Sequence, residues 1–345
     1  MSIASAASIC QNLDPARYEV VPIFIAKDGR WSLPAEPPKV LSAAEVLREG
    51  ERPVTETALQ VVEPTRALSG TTVDVVFPIL HGPYGEDGTV QGLLELAGVP
   101  YVGAGVLGSA VGMDKAVMKS LFAERGLPMV RHVTVYARDW RDDRAGVLAR
   151  CQTLGYPLFV KPANLGSSVG ISKVRDAAGL TPAIETAFTF DRKLVIEAGV
   201  AAAREIECAV LGNDDPVASI PGEIIVTHPD GFYSYDAKYV DASGSSWRIP
   251  ADLPPALASR VQAMSVEAFK ALELSGLARV DFFVDRDSGE LFLNEVNTLP
   301  GFTAISMYPK MWDASGLPMP ALIDRLIVLA IERHEERQRL RTSVT

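Results

Sequence analysis

The stretch Arg279-Val-Asp-Phe-Phe-Val-Asp-Arg-Asp-Ser-Gly-Glu-Leu-Phe-Leu-Asn-Glu-Val-Asn-Thr-Leu-Pro-Gly301 decides how this chain is read, because it sets acidic groups among residues that should fill a core. Two apolar, β-prone runs flank the turn Asp285-Arg-Asp-Ser-Gly289, which predicts an antiparallel hairpin with side chains alternating between its faces. On that alternation Arg279 and Asp281 share one face, and so do Glu295 and Asn297. Carboxylates on strands this apolar are costly unless paired or neutralised, and a hard divalent cation suits an Asp, a Glu and an Asn carbonyl together. The set favours Mg²⁺. A hairpin whose acids merely sit on a solvated face is the alternative.

At 345 residues, 48% of them hydrophobic, the chain can fill the cores of two or three domains. Its formal net charge of −10, with no local cluster of Lys and Arg, argues against a nucleic-acid partner. An anionic substrate must then be met by individual cations. Cys10, Cys151 and Cys208 are far apart and lack ligand spacing, so neither a disulfide framework nor a zinc site is expected. No run reaches the ~18 apolar residues of a membrane span. Met1-Ser-Ile-Ala-Ser-Ala-Ala lacks the basic start and apolar region of a signal peptide, so a cytoplasmic protein with no membrane contact is expected.

Along the chain, a helix is predicted over 2–13 and strands over 18–26 and 73–80. The loop His81-Gly-Pro-Tyr-Gly-Glu86-Asp-Gly-Thr89 follows, at a strand end where ligands of open sheets gather, before a helix over 90–97. Gly103-Ala-Gly105-Val-Leu-Gly108 formally matches a dinucleotide fingerprint, but no acidic residue caps the next strand, 129–136, so a tight turn that packs a helix closely is the preferred reading. Lys115 follows in Met113-Asp-Lys115. A smaller α+β unit then runs from a helix over 139–154 through strands over 158–161, 171–174 and 193–197, with a helix from Asp176. Its loop, Lys161-Pro-Ala-Asn-Leu-Gly166-Ser167-Ser168-Val-Gly170, can present backbone N–H groups and hydroxyls to phosphate oxygens, with Lys161 at the edge. No Walker motif occurs. An alternating strand over 204–211, a polar aromatic segment from Phe232 to Tyr239 that reads as a functional loop, and helices over 254–274 and beyond Pro320 complete the chain.

Taken together, Met113-Asp-Lys115, Lys161 to Gly170, Phe232 to Tyr239, Arg279-Val-Asp281 and Asn294-Glu-Val-Asn-Thr-Leu-Pro-Gly301 resemble the D-alanine–D-alanine ligases of the ATP-grasp superfamily, over nearly the whole chain. The resemblance implies a three-domain α/β and α+β ATP-grasp fold: an N-terminal substrate domain over 1–103, a central ATP-grasp domain over 104–197, and a C-terminal ATP-grasp and metal domain over 198–345. It implies ATP as co-substrate, two Mg²⁺ ions, with Mn²⁺ as a substitute, on Asp281, Glu295 and Asn297, D-alanine as substrate, and a homodimer. By the same resemblance Lys115, Lys161, Ser168 and Lys238 would serve the phosphates, and Glu197 and Glu205 the adenine side and ribose. Arg279 and the Gly301 backbone would form an oxyanion site, Ser167 and Tyr239 would organise the substrates, and His81 and Ser306 would hold them.

Family members begin with a strand and a Gly-rich loop bearing a glutamate, ahead of a Val-Ser-x-x-Ser-Ala helix start. Here Met1-Ser-Ile-Ala-Ser-Ala stands at that valine, so the expectation is that the first strand is missing and that Met1 is a misread start. Three other functions stay open: a ligase taking D-lactate or D-serine as acceptor, a nucleotide-binding member without turnover, and a dinucleotide-dependent oxidoreductase.

Overall fold

The computed structural model describes residues 2–26, 31–33, 60–62, 73–166, 168–200, 202–226 and 245–341. The elements in order are α1 (Ser2–Asn12), β1 (Phe24–Ile25), β2 (Trp31–Leu33), β3 (Gln60–Val62), α2 (Thr89–Ala97), α3 (Val106–Met113), α4 (Lys115–Glu124), β4 (His132–Tyr136), α5 (Ala137–Asp142) and α6 (Arg144–Gln152). Then come β5 (Leu158–Pro162), β6 (Ser172–Val174), α7 (Ala177–Ala187), β7 (Lys193–Ala198), β8 (Ala203–Gly212), β9 (Val217–Ala218), β10 (Gly222–Val226) and β11 (Ser245–Arg248). The last are α8 (Pro255–Ala271), β12 (Gly276–Asp285), β13 (Leu291–Asn297), α9 (Met307–Ala314) and α10 (Met319–Gln338).

Among the described residues three antiparallel sheets form, in the orders β1-β2-β3, β4-β7-β5-β6 and β11-β10-β8-β12-β13, with β9 added to β8. In the largest, alternation does what the sequence predicts. Ala278, Val280, Phe282 and Val284 of β12 join Ile206, Cys208 and Val210 of β8 in a core closed by α8, while Arg279 and Asp281 face the other way. Helices α9 and α10 pack a second core over Ala209, Leu211 and Leu277. The four-stranded sheet has its own core with α6 and α7.

Helix α4 ties the two larger sheets together. Asp114 breaks the helical run by turning to an extended backbone, and its side chain accepts from the N–H groups of Ala116 and Val117 as an N-cap. Met118 and Phe122 then enter the core of the large sheet, whereas Ala116 packs on Ala163 and Val195 of the smaller one. The same turns leave Lys115 and Lys119, four apart and so on one face, pointing between the sheets.

The structure shortens several expected elements. The strand over 18–26 is reduced to Phe24–Ile25, and that over 73–80 to a parallel bridge between Val76 and Tyr101, because a run extended by propensity is a strand only where a neighbour takes its N–H and C=O groups. The helix over 139–154 divides at Asp143, whose side chain caps α6. The segment from Phe232 to Tyr239 lies outside the described residues. Gly103 and Gly108 behave as close-packing glycines: a Cβ on Gly103 would lie 3.1 Å from Leu299, and one on Gly108 2.9 Å from the Glu273 carbonyl.

Candidate active site

The decisive geometry is a row of acids. Asp281 pairs in register with Glu207 of β8 on one side and Glu295 of β13 on the other. Strict alternation would put Glu295 on the face of Leu291 and Leu293, which are fully buried in the core. A register shift between Asp281 and Phe282, opposite Asn294, prevents this: Glu295 pairs with Asp281 but Leu293 pairs with Phe282, so Asn294 is the extra residue of a bulge. Glu295 and Asn297 thereby join Asp281 and Arg279 on the face away from the core, and Asn297 pairs with Arg279.

Cations answer these acids. The Arg279 guanidinium donates to both Asp281 oxygens at 2.7 Å and lies 3.2 Å from Glu207. Burial disfavours its charge, but Asp281 and Glu207 outweigh that and hold its pKa well above the ordinary value. Lys115 Nζ is 3.4 Å from Glu295 Oε2 and donates to the Leu165 carbonyl at 2.7 Å. Deeper in, Glu197 holds Lys119 at 2.8 Å on one oxygen and Lys161 at 2.6 Å on the other. Lys161 also reaches the Asn294 side chain at 3.3 Å. Burial would raise the Glu197 carboxyl, yet the two ammoniums hold it far below the carboxylate range.

Three loops border this cleft. In 161–170, Ser168 and Gly170 have positive φ, and a Cβ on Gly170 would come within 2.9 Å of Phe190 and Pro162. Gly166 faces Glu86, whose buried carboxylate accepts from the Gly82 N–H, and His81 lies 4.0 Å from that acid. On the C-terminal side, Ser306 Oγ accepts from the Thr303 N–H at 3.0 Å and is 2.8 Å from where a Gly301 Cβ would stand, so a side chain at 301 would have to displace that hydroxyl. Ser5 of α1 accepts from the Phe302 N–H, fixing the same loop from the other end of the chain.

Of the twelve expected site residues that are described, seven belong to one neighbourhood of linked contacts: Arg279, Asp281, Glu295, Asn297, Lys115, Lys161 and Glu197. Glu205 lies on β8 across from Phe283, on the same face as Glu207, while Gly301 and Ser306 form the adjoining loop. Ser167, Lys238 and Tyr239 lie outside the described residues. The sequence reading missed Lys119, Glu207 and Glu86. The first two had a signal, Lys119 standing four residues beyond Lys115 on a helix and Glu207 two beyond Glu205 on a strand. Among the described residues no three His, Cys, Asp or Glu side chains converge closely enough to hold an ion. Two carboxylates and an amide oxygen do suit a cation that keeps water and phosphate for its remaining positions, and the cations now against Asp281 and Glu295 show that the place demands positive charge.

Comparison with known proteins agrees with this geometry. The family model described as D-ala D-ala ligase C-terminus matches residues 121–328, and that described as D-ala D-ala ligase N-terminus matches residues 1–104. The chain belongs to the D-alanine–D-alanine ligase family. It is 48% identical to the D-alanine–D-alanine ligase of Heliobacterium modesticaldum, over 98% of this chain and 93% of that protein. With the ligase of Geobacillus thermodenitrificans it shares 46% identity over 98% and 93%. Among solved structures, the D-alanine–D-alanine ligase of Coxiella burnetii superposes with a TM-score of 0.79 at 41% identity, covering 98% of this chain and 91% of that one. The VanG D-Ala:D-Ser ligase of Enterococcus faecalis also gives 0.79, at 35% identity, covering 95% and 94%. The fold is thus that of an ATP-grasp ligase. No single described helix is long and apolar enough to cross a membrane.

Proposed function

We propose that this chain joins two molecules of D-alanine at the expense of ATP, making D-alanyl-D-alanine for peptidoglycan, as a cytoplasmic homodimer with three domains over 1–103, 104–197 and 198–345. The observation that carries the reading is the pairing of Lys115 and Lys161 with Glu295 and Glu197 between the two sheets: cations held ready by acids at the place where a triphosphate would lie.

In the first step a carboxylate oxygen of one D-alanine attacks the γ-phosphorus of ATP, and ADP leaves, giving an acyl phosphate. Two anions are pushed together, so neutralising the phosphate oxygens lowers the barrier most. Lys115, Lys161, Ser168 and the 161–170 backbone are assigned to phosphate, and Glu205 to the ribose. Magnesium, held by Asp281, Glu295 and Asn297, would supply further neutralisation when bound. In the second step the amine of another D-alanine attacks the acyl carbon, and phosphate leaves. Arg279 and the Gly301 N–H are assigned to the oxyanion, and His81 and Ser306 to substrate. Lys238 is assigned to phosphate as well, and Tyr239 and Ser167 to organising the substrates.

The similarity to a D-Ala:D-Ser ligase favours one alternative, D-serine as acceptor. Phosphate release from ATP that requires D-alanine, with the product mass of the dipeptide, tests the main reading. ATP turnover indifferent to D-alanine overturns it, and preferential formation of the D-alanyl-D-serine product when both amino acids compete establishes the alternative.

A further inference from the structure

The site holds one cation that nothing above uses. Lys119 is 1% exposed, on the inner face of α4. Its Nζ has Glu197 Oε1 at 2.8 Å and the Asn294 carbonyl at 3.4 Å. Its side chain is more enclosed than those of Lys115 and Lys161, which are 7% and 6% exposed. Two lysines nevertheless converge on one carboxylate that is itself 2% exposed, and a single cation would have neutralised it.

We propose that Lys119 is a positioning residue for nucleotide binding: it remains on Glu197 as permanent counter-ion, so that Lys161 can leave that carboxylate for a phosphate. This rests on the assignment of Lys161 to ATP.

The two lysines differ as the proposal requires. Lys161 lies on β5 at the root of the 161–170 loop, with a side-chain amide, Asn294, as its other partner. Among the described residues Lys119 hydrogen-bonds, besides Glu197, to a backbone carbonyl, and it sits within a helix packed against both sheets. A phosphate can take over from Glu197 for Lys161. Were Lys119 absent, the departure of Lys161 would strand a buried carboxylate with no cation, a far greater cost than breaking an exposed pair. Lys161 would then be bound to Glu197 more tightly than it could be drawn to ATP.

The test compares wild type, K119M, K119R, E197Q and the double variant K119M/E197Q. MgADP affinity is measured by calorimetry, and KM is measured for ATP and for D-alanine. Loss of a charge-assisted contact predicts that K119M weakens MgADP binding about tenfold and raises the KM for ATP similarly, with the D-alanine KM within about twofold. K119R should stay near wild type. The double variant, which no longer has a carboxylate to strand, should regain about threefold or more of the lost affinity. If K119M folds and binds MgADP as wild type does, or if the double variant regains nothing, the proposal is overturned, and Lys119 merely ties α4 to β7. If K119M does not fold, the double variant is set against E197Q: MgADP bound within about threefold of E197Q supports the proposal, because Lys119 then has no carboxylate to serve, and unfolding or weaker binding overturns it. Failure of wild type to release phosphate with D-alanine would remove the ligase reading but not this one, because MgADP binding needs no turnover.

Discussion

Glu295 stands opposite Asp281 with Lys115 against it, so its charge rather than its bulk is what the site uses. E295Q should keep the wild-type urea midpoint yet lose dipeptide formation by about a hundredfold or more, the scale on which a neutralising metal charge acts. Near-normal turnover at ordinary Mg²⁺ would remove Glu295 from the metal set. Lys161→Ala should raise the KM for ATP more than that for D-alanine, since Glu197 keeps Lys119 and the loss falls on phosphate; equal losses would place Lys161 elsewhere. Glu197 also sets a pH dependence. Its folded pKa lies far below the unfolded carboxylate value of about 4.3, so the unfolded chain binds the proton first as pH falls. The stability it contributes is complete above about pH 5 and declines progressively below it. E197Q should flatten the slope of urea midpoint against pH between about 3 and 5, and an unchanged slope would contradict this.

The hairpin was legible from period-two alternation, and so from their apolar patterns were α1, α2, α7, α8 and most strands of the two larger sheets. What alternation could not give was the bulge at Asn294. Glu295 and Leu293 have the same parity in sequence, yet one faces the site and the other the core, and only the pairing with β12 reveals the extra residue. Deleting Asn294 should force either Leu291 and Leu293 out of the core or Glu295 and Asn297 into it. At roughly 1.5–3 kcal/mol for each exposed leucine, the loss should lower the urea midpoint sharply or prevent folding. A deletion variant with wild-type stability would mean that the bulge does not set the two faces. Lys119 and Glu207 were overlooked for a different reason. Buried charges look like surface charges until their partners, far off in sequence, are known: Glu197 is on β7 and Arg279 on β12.

Across the whole molecule, α4 is the piece shared by the large and the smaller sheet, through Met118 and Phe122 on one side and Ala116 on the other. Phe122 is fully buried, and Phe122→Ala should cost about 3–5 kcal/mol of unfolding free energy by urea denaturation, with MgADP binding weakened as well because Lys115 and Lys119 ride on the same helix. Loss of stability with nucleotide affinity intact would show that the lysines keep their places without that packing. A different consequence follows from the hydrogen bond between Ser5 and Phe302, whose partners are 297 residues apart. On a ribosome adding about 5–20 residues per second, α1 waits roughly 15 to 60 s for the loop it will hold. Each sheet can form as its own strands emerge, but the bond between α1 and the Gly301 loop cannot exist on a half-made chain. Catalysis would therefore begin only after Phe302 has been made, and termination anywhere upstream of it would leave no complete site.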